Sequence, residues 1–341
     1  MTPRKKYYVE FILLILILIV LFVQSLCSGT ADIGFFKVLN VLRNNESNNA
    51  YIQIVFEHRF PKAIAAVLCG VSLSVCGLMM QTLFRNPLAG PDVLGINSGS
   101  SLFVAFFITG SSALGMGTQS ILYNGGLTFF AAAGSLLTLL LILAISLRIK
   151  NNITLLLTGI MLGYIYGALQ SMFEYFANPV QLKSFVLWGM GSISNVTLDH
   201  LKVFVPVCLI GFILSLLLVK PLNLFLLGDN YAKTSGLNIK ATKWKIIILT
   251  GVLSGISTAF CGPIAFIGLA VPHLARIIFK TNNHKIILPA SALIGAITLL
   301  FCDIAGNLAP GNLFIPINVT TSLIGAPIVI WLLFKNKNLS A

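Results

Sequence analysis

The chain carries four histidines, nine acidic residues and six cysteines, and their spacing decides what chemistry they could perform. A serine hydrolase would announce itself as Gly-x-Ser-x-Gly, a zinc protease as His-Glu-x-x-His, and a zinc or redox centre as Cys-x-x-Cys; none occurs. No glycine is followed directly by lysine, so a phosphate-cradling loop is absent and any ATP that drives this protein must be bound by another subunit. Cys27, Cys69, Cys76, Cys208, Cys261 and Cys302 lie within or at the ends of apolar runs, without metal-ligand spacing, and read as small buried hydrophobes. His273 and Arg276 stand three apart and share a helix face. With no third partner in view they read as structural residues near a membrane interface. The sequence therefore predicts no catalytic residue, no cofactor and no metal site.

Small residues are more informative. Gly159, Gly163 and Gly167 recur every four residues along one helix face, which either lets another backbone approach closely or widens a lumen. The following turns carry Gln170, Met172, Phe173, Tyr175 and Phe176, placed either at the mouth of a wide path or in an interfacial aromatic belt. The segment 220–243 is too polar to cross a membrane and long enough for two short helices broken near Gly228 and Gly236. It is a docking surface or a solvated linker.

The elements that hold these residues follow from composition. Of 341 residues, 57% are hydrophobic and only 9% are charged, against about 25% charged in ordinary soluble domains. That excludes a soluble enzyme, a disordered tail and a secreted disulfide scaffold. A span needs about 20 apolar residues, and the runs predict an all-α polytopic membrane protein of about ten transmembrane helices. They fall at Val9–Val23 (an uncleaved first helix), 61–83, 93–110, 124–147, 153–176, 201–219, 244–263, 266–280, 286–304 and 316–334. The chain is expected to form a single transmembrane domain, 1–341, without a large soluble insertion.

The net charge of +13 is a topology signal rather than a nucleic-acid footprint, because the basic residues sit in short connections between apolar runs. On the N-terminal side lie Arg4, Lys5, Lys6, Arg85, Arg148, Lys150, Lys220, Lys233, Lys240, Lys243, Lys245, Arg276, Lys280, Lys285, Lys335 and Lys337. The other side holds only Lys37, Arg43, Arg59, Lys62, Lys183 and Lys202. Basic loops mark the cytoplasmic side, so both termini are expected there. Glu10, Asp92, Glu174 and Asp303 sit near span ends, leaving the span interiors almost free of charge, which weakens a proton- or sodium-coupled carrier.

Ordered motifs then carry a family likeness. Arg59-Phe-Pro-Lys62 precedes a small-residue helix ending Gly77-Leu-Met-Met-Gln81, followed by Phe84-Arg-Asn-Pro-Leu-Ala89, Pro91 and Leu94-Gly95. Trp188-Gly-Met-Gly-Ser192, Leu227-Gly-Asp229, Ala232, Gly236 and Gly262-Pro-Ile-Ala-Phe-Ile-Gly-Leu269 come next. Pro272-His273, Arg276, Leu288-Pro289, Asp303 and Gly325-Ala-Pro327 complete the order. From about residue 55 to 335 the chain resembles the FecCD family, the permease subunits of type II ABC importers for iron–siderophore complexes, haem and cobalamin.

The resemblance implies a multi-pass protein of a bacterial cytoplasmic (inner) membrane, paired with a second permease subunit as a homodimer or close heterodimer and surrounded by membrane lipid. Two cytoplasmic ATPase subunits would dock on 220–243 around Leu227, Gly228, Asp229, Ala232 and Gly236. A cytoplasmic gate would lie at Asn86, Pro87 and Leu88 in one turn and at Asn151 and Asn152 in another. Arg59 and Lys62 would meet an extracytoplasmic substrate-binding protein, and Gly159, Gly163 and Gly167 would flank the translocation path. The sequence departs from the family at Asn307, where an arginine is common, and at Phe314-Ile-Pro-Ile-Asn318, where Glu-Leu-Pro-x-Gly is usual. Both departures are expected at the outer face. The expected function is ATP-driven uptake of a ferric siderophore, with haem or cobalamin second and an ion-coupled carrier third; a membrane-embedded enzyme has no residues to support it.

Overall fold

In lipid the backbone finds no water to bond, so a chain this apolar must satisfy its amides internally, and it does so with helices. The computed structural model describes residues 3–29, 33–43, 49–113, 121–149, 151–307 and 315–335. Phe314, Lys150 and Lys337 lie outside the described residues. In chain order, α1 is Pro3–Cys27, and the short α2 (Phe35–Leu42) and α3 (Asn49–Gln53) lead through a π turn, Ile54–Arg59, into α4 (Phe60–Phe84). A 3-10 turn at Pro91–Leu94 opens α5 (Ile96–Ala113), followed by α6 (Ile121–Ser146), α7 (Asn152–Phe176), the short α8 (Pro179–Gly189) and α9 (Leu198–Leu217). Two short helices, α10 (Val219–Leu226) and α11 (Asp229–Thr234), precede α12 (Ile239–Cys261), α13 (Ile267–Phe279), α14 (His284–Asn307) and α15 (Ile317–Lys335). No strand occurs among the described residues.

The ten expected spans correspond to α1, α4, α5, α6, α7, α9, α12, α13, α14 and α15. Seven helical stretches among the described residues are long and apolar enough to cross a membrane unaided. Of the other three, α5 has 18 residues, α15 has 19 and α13 only 13. At about 1.5 Å per residue, α13 covers roughly two-thirds of a hydrocarbon core about 30 Å thick. The irregular segment before it supplies the rest, and such backbone is tolerated at depth only inside protein. Phe266 there has φ 68°, and Asn318 Oδ1 accepts a hydrogen bond from the Ala265 amide at 3.1 Å. The departure at Asn318 thus satisfies a backbone donor that a glycine could not reach.

α4 runs through the centre, with nearly every residue from Ala63 to Phe84 buried. Its small residues allow this. A Cβ on Gly70 would collide with the Gly295 carbonyl of α14, and one on Gly77 with the Gly268 carbonyl of α13. Close backbone approach replaces the hydrophobic driving force that helices in lipid lack. α1 is peripheral, with Ile12, Leu16 and Val20 exposed, and leans inward through Phe11, whose ring lies 4.8 Å from that of Phe279.

Candidate gate and coupling site

The last turn of α4 is tied by side-chain hydrogen bonds to α7, α13 and α14. α4 stops because Arg85 adopts a left-handed conformation (φ 48°), and the Asn-Pro pair behind it cannot continue a helix. Asn86 then closes its own turn, its Oδ1 accepting from the Leu88 amide at 2.9 Å, and leaves Leu88 42% exposed at the tip. Asn152 Nδ2 donates to the Leu83 carbonyl at 2.8 Å, fastening the start of α7 to the end of α4. Asn151 caps α7 itself, accepting from the Ile153 amide at 2.9 Å. The two turns expected to form the gate are therefore side by side.

Two further helices reach the same turn. His273 Nε2 lies 2.8 Å from the Pro87 carbonyl, which can only accept, so that nitrogen carries the proton. One turn along α13, Arg276 Nη1 donates to Gln81 Oε1 at 2.7 Å, and Gln81 Nε2 donates back to the Leu269 carbonyl at 3.0 Å. On the other side, the buried His284 at the start of α14 bridges Thr82 of α4 and Asn223 of α10, each at 2.9 Å.

The segment 220–243 folds as two short helices, with breaks at Gly228 (φ 110°) and Gly236 (φ 82°), left-handed values that favour glycine. Ala232 is fully buried and seats α11, while Leu226, Leu227 and Tyr231 are exposed at 47, 62 and 53%. Asp229, the first residue of α11, pairs with Arg85 and stands 3.8 Å from Lys243 of α12. An apolar patch on a polar end of the bundle is thus joined by one carboxylate to Arg85, at the start of the Asn86–Leu88 turn.

The remaining expected site residues fall elsewhere. Arg59 is buried and donates from Nη1 to the Leu26 and Cys27 carbonyls, both at 2.8 Å, closing the end of α1. Lys62 forms a 2.8 Å ion pair with the buried Asp303 and reaches Asn307 Oδ1 at 3.5 Å; Ser25 approaches the same carboxylate at 3.4 Å. Both cations are committed inside the fold, at the end opposite the gate. The glycine stripe divides: Gly159 lies directly against the Val93 carbonyl, Gly163 lies near Ser98, and Gly167 faces open space. Arg85 and Gln81 stand in the family motifs without an assigned role, and Asn223 and His284 carry no signal in the sequence. Arg85 is a lone cation immediately before an Asn-Pro turn; the partners of the other three are remote in the chain.

The FecCD transport family matches residues 16–335. The chain is 34% identical to the hemin transport system permease protein HmuU of Yersinia pestis over 336 residues, covering 98% of this chain and 97% of that one. It is 35% identical to the vitamin B12 import system permease protein BtuC of Salmonella typhi, covering 83% and 84% of the two chains. Among solved structures, a metal-chelate type ABC transporter in an inward-facing conformation superposes with a TM-score of 0.81 at 30% identity, covering 94% of this chain and 97% of that one. The bundle, helical throughout its described residues, agrees with these relatives, and the chain belongs to the FecCD transport family of ABC importer permeases.

Proposed function

We propose that this chain is a permease subunit of an ATP-driven importer in a bacterial cytoplasmic membrane, with both termini cytoplasmic. The observation that carries the reading is the Asp229 link: the segment presenting Leu227 and Tyr231 outward is bonded to Arg85, next to the turn bearing Asn86, Pro87 and Leu88. An ATPase seated on α11 would pull on the gate through a single side-chain contact. Two ATPase subunits, one per permease of a homodimer, hydrolyse the nucleotide, since this chain lacks a phosphate loop. Cargo arrives from an extracytoplasmic binding protein, for which Arg59 and Lys62 fix the outer ends of α1, α4 and α14. It then passes the open face of α7 near Gly167.

The cargo is a metal-bearing organic chelate, with a ferric siderophore as the first reading. Haem is the second, favoured by the full-length likeness to a hemin permease; cobalamin follows for the same reason. Cells lacking the gene, and the same cells complemented, would be offered labelled ferric siderophores, haem and cobalamin with and without ATP depletion. Complementation-dependent, ATP-dependent uptake of one cargo is expected. Uptake that survives ATP depletion but collapses with an uncoupler would replace the importer by an ion-coupled carrier.

A further inference from the structure

A large apolar cavity lies away from the Asn86–Leu88 turn. It is a cleft of about 760 Å³ between α9 and the first half of α12, roofed by Pro221 of α10 and by Leu237. Its walls are apolar, with Leu214 and Leu217 on one side and Leu249 and Val252 on the other. The exposed stripe of α12 runs Ala241, Lys245, Ile248, Val252, and Lys245 is its only charge. A second depression of about 480 Å³ lies on the far flank of that stripe, sharing Ala241, Lys245 and Ile248 and adding Trp244, Lys240 and Leu147.

Among the described residues no carboxylate pairs with Lys245, whereas the neighbouring Lys243 faces Asp229. The Trp244 Nε1 donor likewise has no hydrogen-bond partner among the described residues. Lys245 also marks a change of medium along the stripe. Toward the helix start lie Ala241 and the capping side chain of Asn238; beyond it the exposed surface is purely aliphatic. A cation and an indole at such a boundary occupy the level of lipid headgroups.

We propose that this cleft binds one anionic phospholipid, its phosphate against Lys245 and an acyl chain lying along α9 and α12. Charge complementarity selects the occupant. A free anion would leave the long aliphatic cleft empty, and in a zwitterionic lipid the headgroup's own cation would offset the attraction of its phosphate for Lys245. Basic pockets between helices near the cytoplasmic surface are the usual form of such recognition.

Native mass spectrometry of the full-length protein released from nanodiscs of mixed phosphatidylglycerol and phosphatidylcholine tests this. Wild type is expected to retain one more phosphatidylglycerol per chain than Lys245→Gln, with affinity falling about fivefold for loss of one near-surface charge. Retention of phosphatidylcholine is expected to be equal in the two. Val252→Phe, which fills the cleft from an exposed position without touching the charge, is expected to lower retention of the same lipid. Equal retention by all three proteins would overturn the proposal. Displacement of the lipid by inorganic phosphate alone would also overturn it, in favour of a simple anion site. A change of oligomeric state in either variant, with lipid retention unchanged, would make the cleft a protein interface instead.

Discussion

Asp229 faces two cations from different elements, Arg85 of the gate turn and Lys243 of α12, and both its own side chain and that of Arg85 are partly exposed. An exposed pair of this kind contributes at most about 1 kcal/mol to stability, so its value lies in the connection it makes. Arg85→Gln and Asp229→Asn are each expected to shift the melting temperature by no more than a few degrees while sharply reducing ATP-dependent uptake. The double variant should be no worse than either single one. Additive losses of uptake would mean that the two residues act separately. The glycines of α7 give a contrasting residue-scale test. Adding a methyl at Gly159 drives it into the Val93 carbonyl and the Leu94 Cα, and overpacking of this kind costs about 1–3 kcal/mol. Gly167→Ala meets nothing within 4 Å and is expected to leave thermal unfolding unchanged or to raise stability by up to about 1 kcal/mol, because alanine favours the helix. Gly167→Trp should then stay folded but block uptake; full uptake by a stable Gly167→Trp protein would remove α7 from the path at that level.

Element by element, what could be read from sequence depended on how local the cause was. The long helices were legible because each is an apolar run with its own ends. So were the breaks at Gly228 and Gly236, because left-handed backbone is written into a single residue. The π turn Ile54–Arg59 was not, since a wider winding leaves no mark in composition, and α8 was passed over as too short to span although Asn178 and Gln181 form a capping box at its start. Arg59 and Lys62 illustrate the limit. Their place between the first two spans sets them at the end expected to face outward, but their partners, Leu26, Cys27, Asp303 and Asn307, lie far off in sequence and come together only when α1, α4 and α14 pack. The same contact accounts for Asn307, which accepts from Lys62 and also donates to the Asp303 carbonyl at 2.9 Å. Removing the cation would leave a buried carboxylate without its ion-pair partner, a change that costs about 3–5 kcal/mol. Lys62→Ala is therefore expected to lower thermal stability markedly in detergent, and Lys62→Arg to retain most of it. Equal melting of wild type and Lys62→Ala would show that the pair contributes nothing to joining α4 and α14.

At the scale of the whole molecule, the two ends of the bundle differ in how their cations are used. At the gate end, Arg148, Lys220, Lys240 and Lys245 are exposed, and Lys233 stands on the exposed side of α11. At the opposite end, Arg59 and Lys62 are consumed by internal partners and the exposed Lys202 is neutralised by Asp199 at 2.7 Å, leaving Lys37, Arg43 and Lys183 exposed. The exposed positive charge is thus lopsided in the same sense as the residue counts, and free charge in short loops is what holds a segment on the cytoplasmic side. Single cysteines at Lys233 and Lys202, in a background where the six native cysteines are replaced by serine or alanine, report the outcome directly. An impermeant maleimide is expected to label Lys202→Cys in intact cells and to reach Lys233→Cys only after the membrane is opened or inverted. The opposite pattern would place α11 outside, out of reach of any cytoplasmic ATPase. The Asp229 link would then lose its proposed role even though the fold and the family stayed as they are.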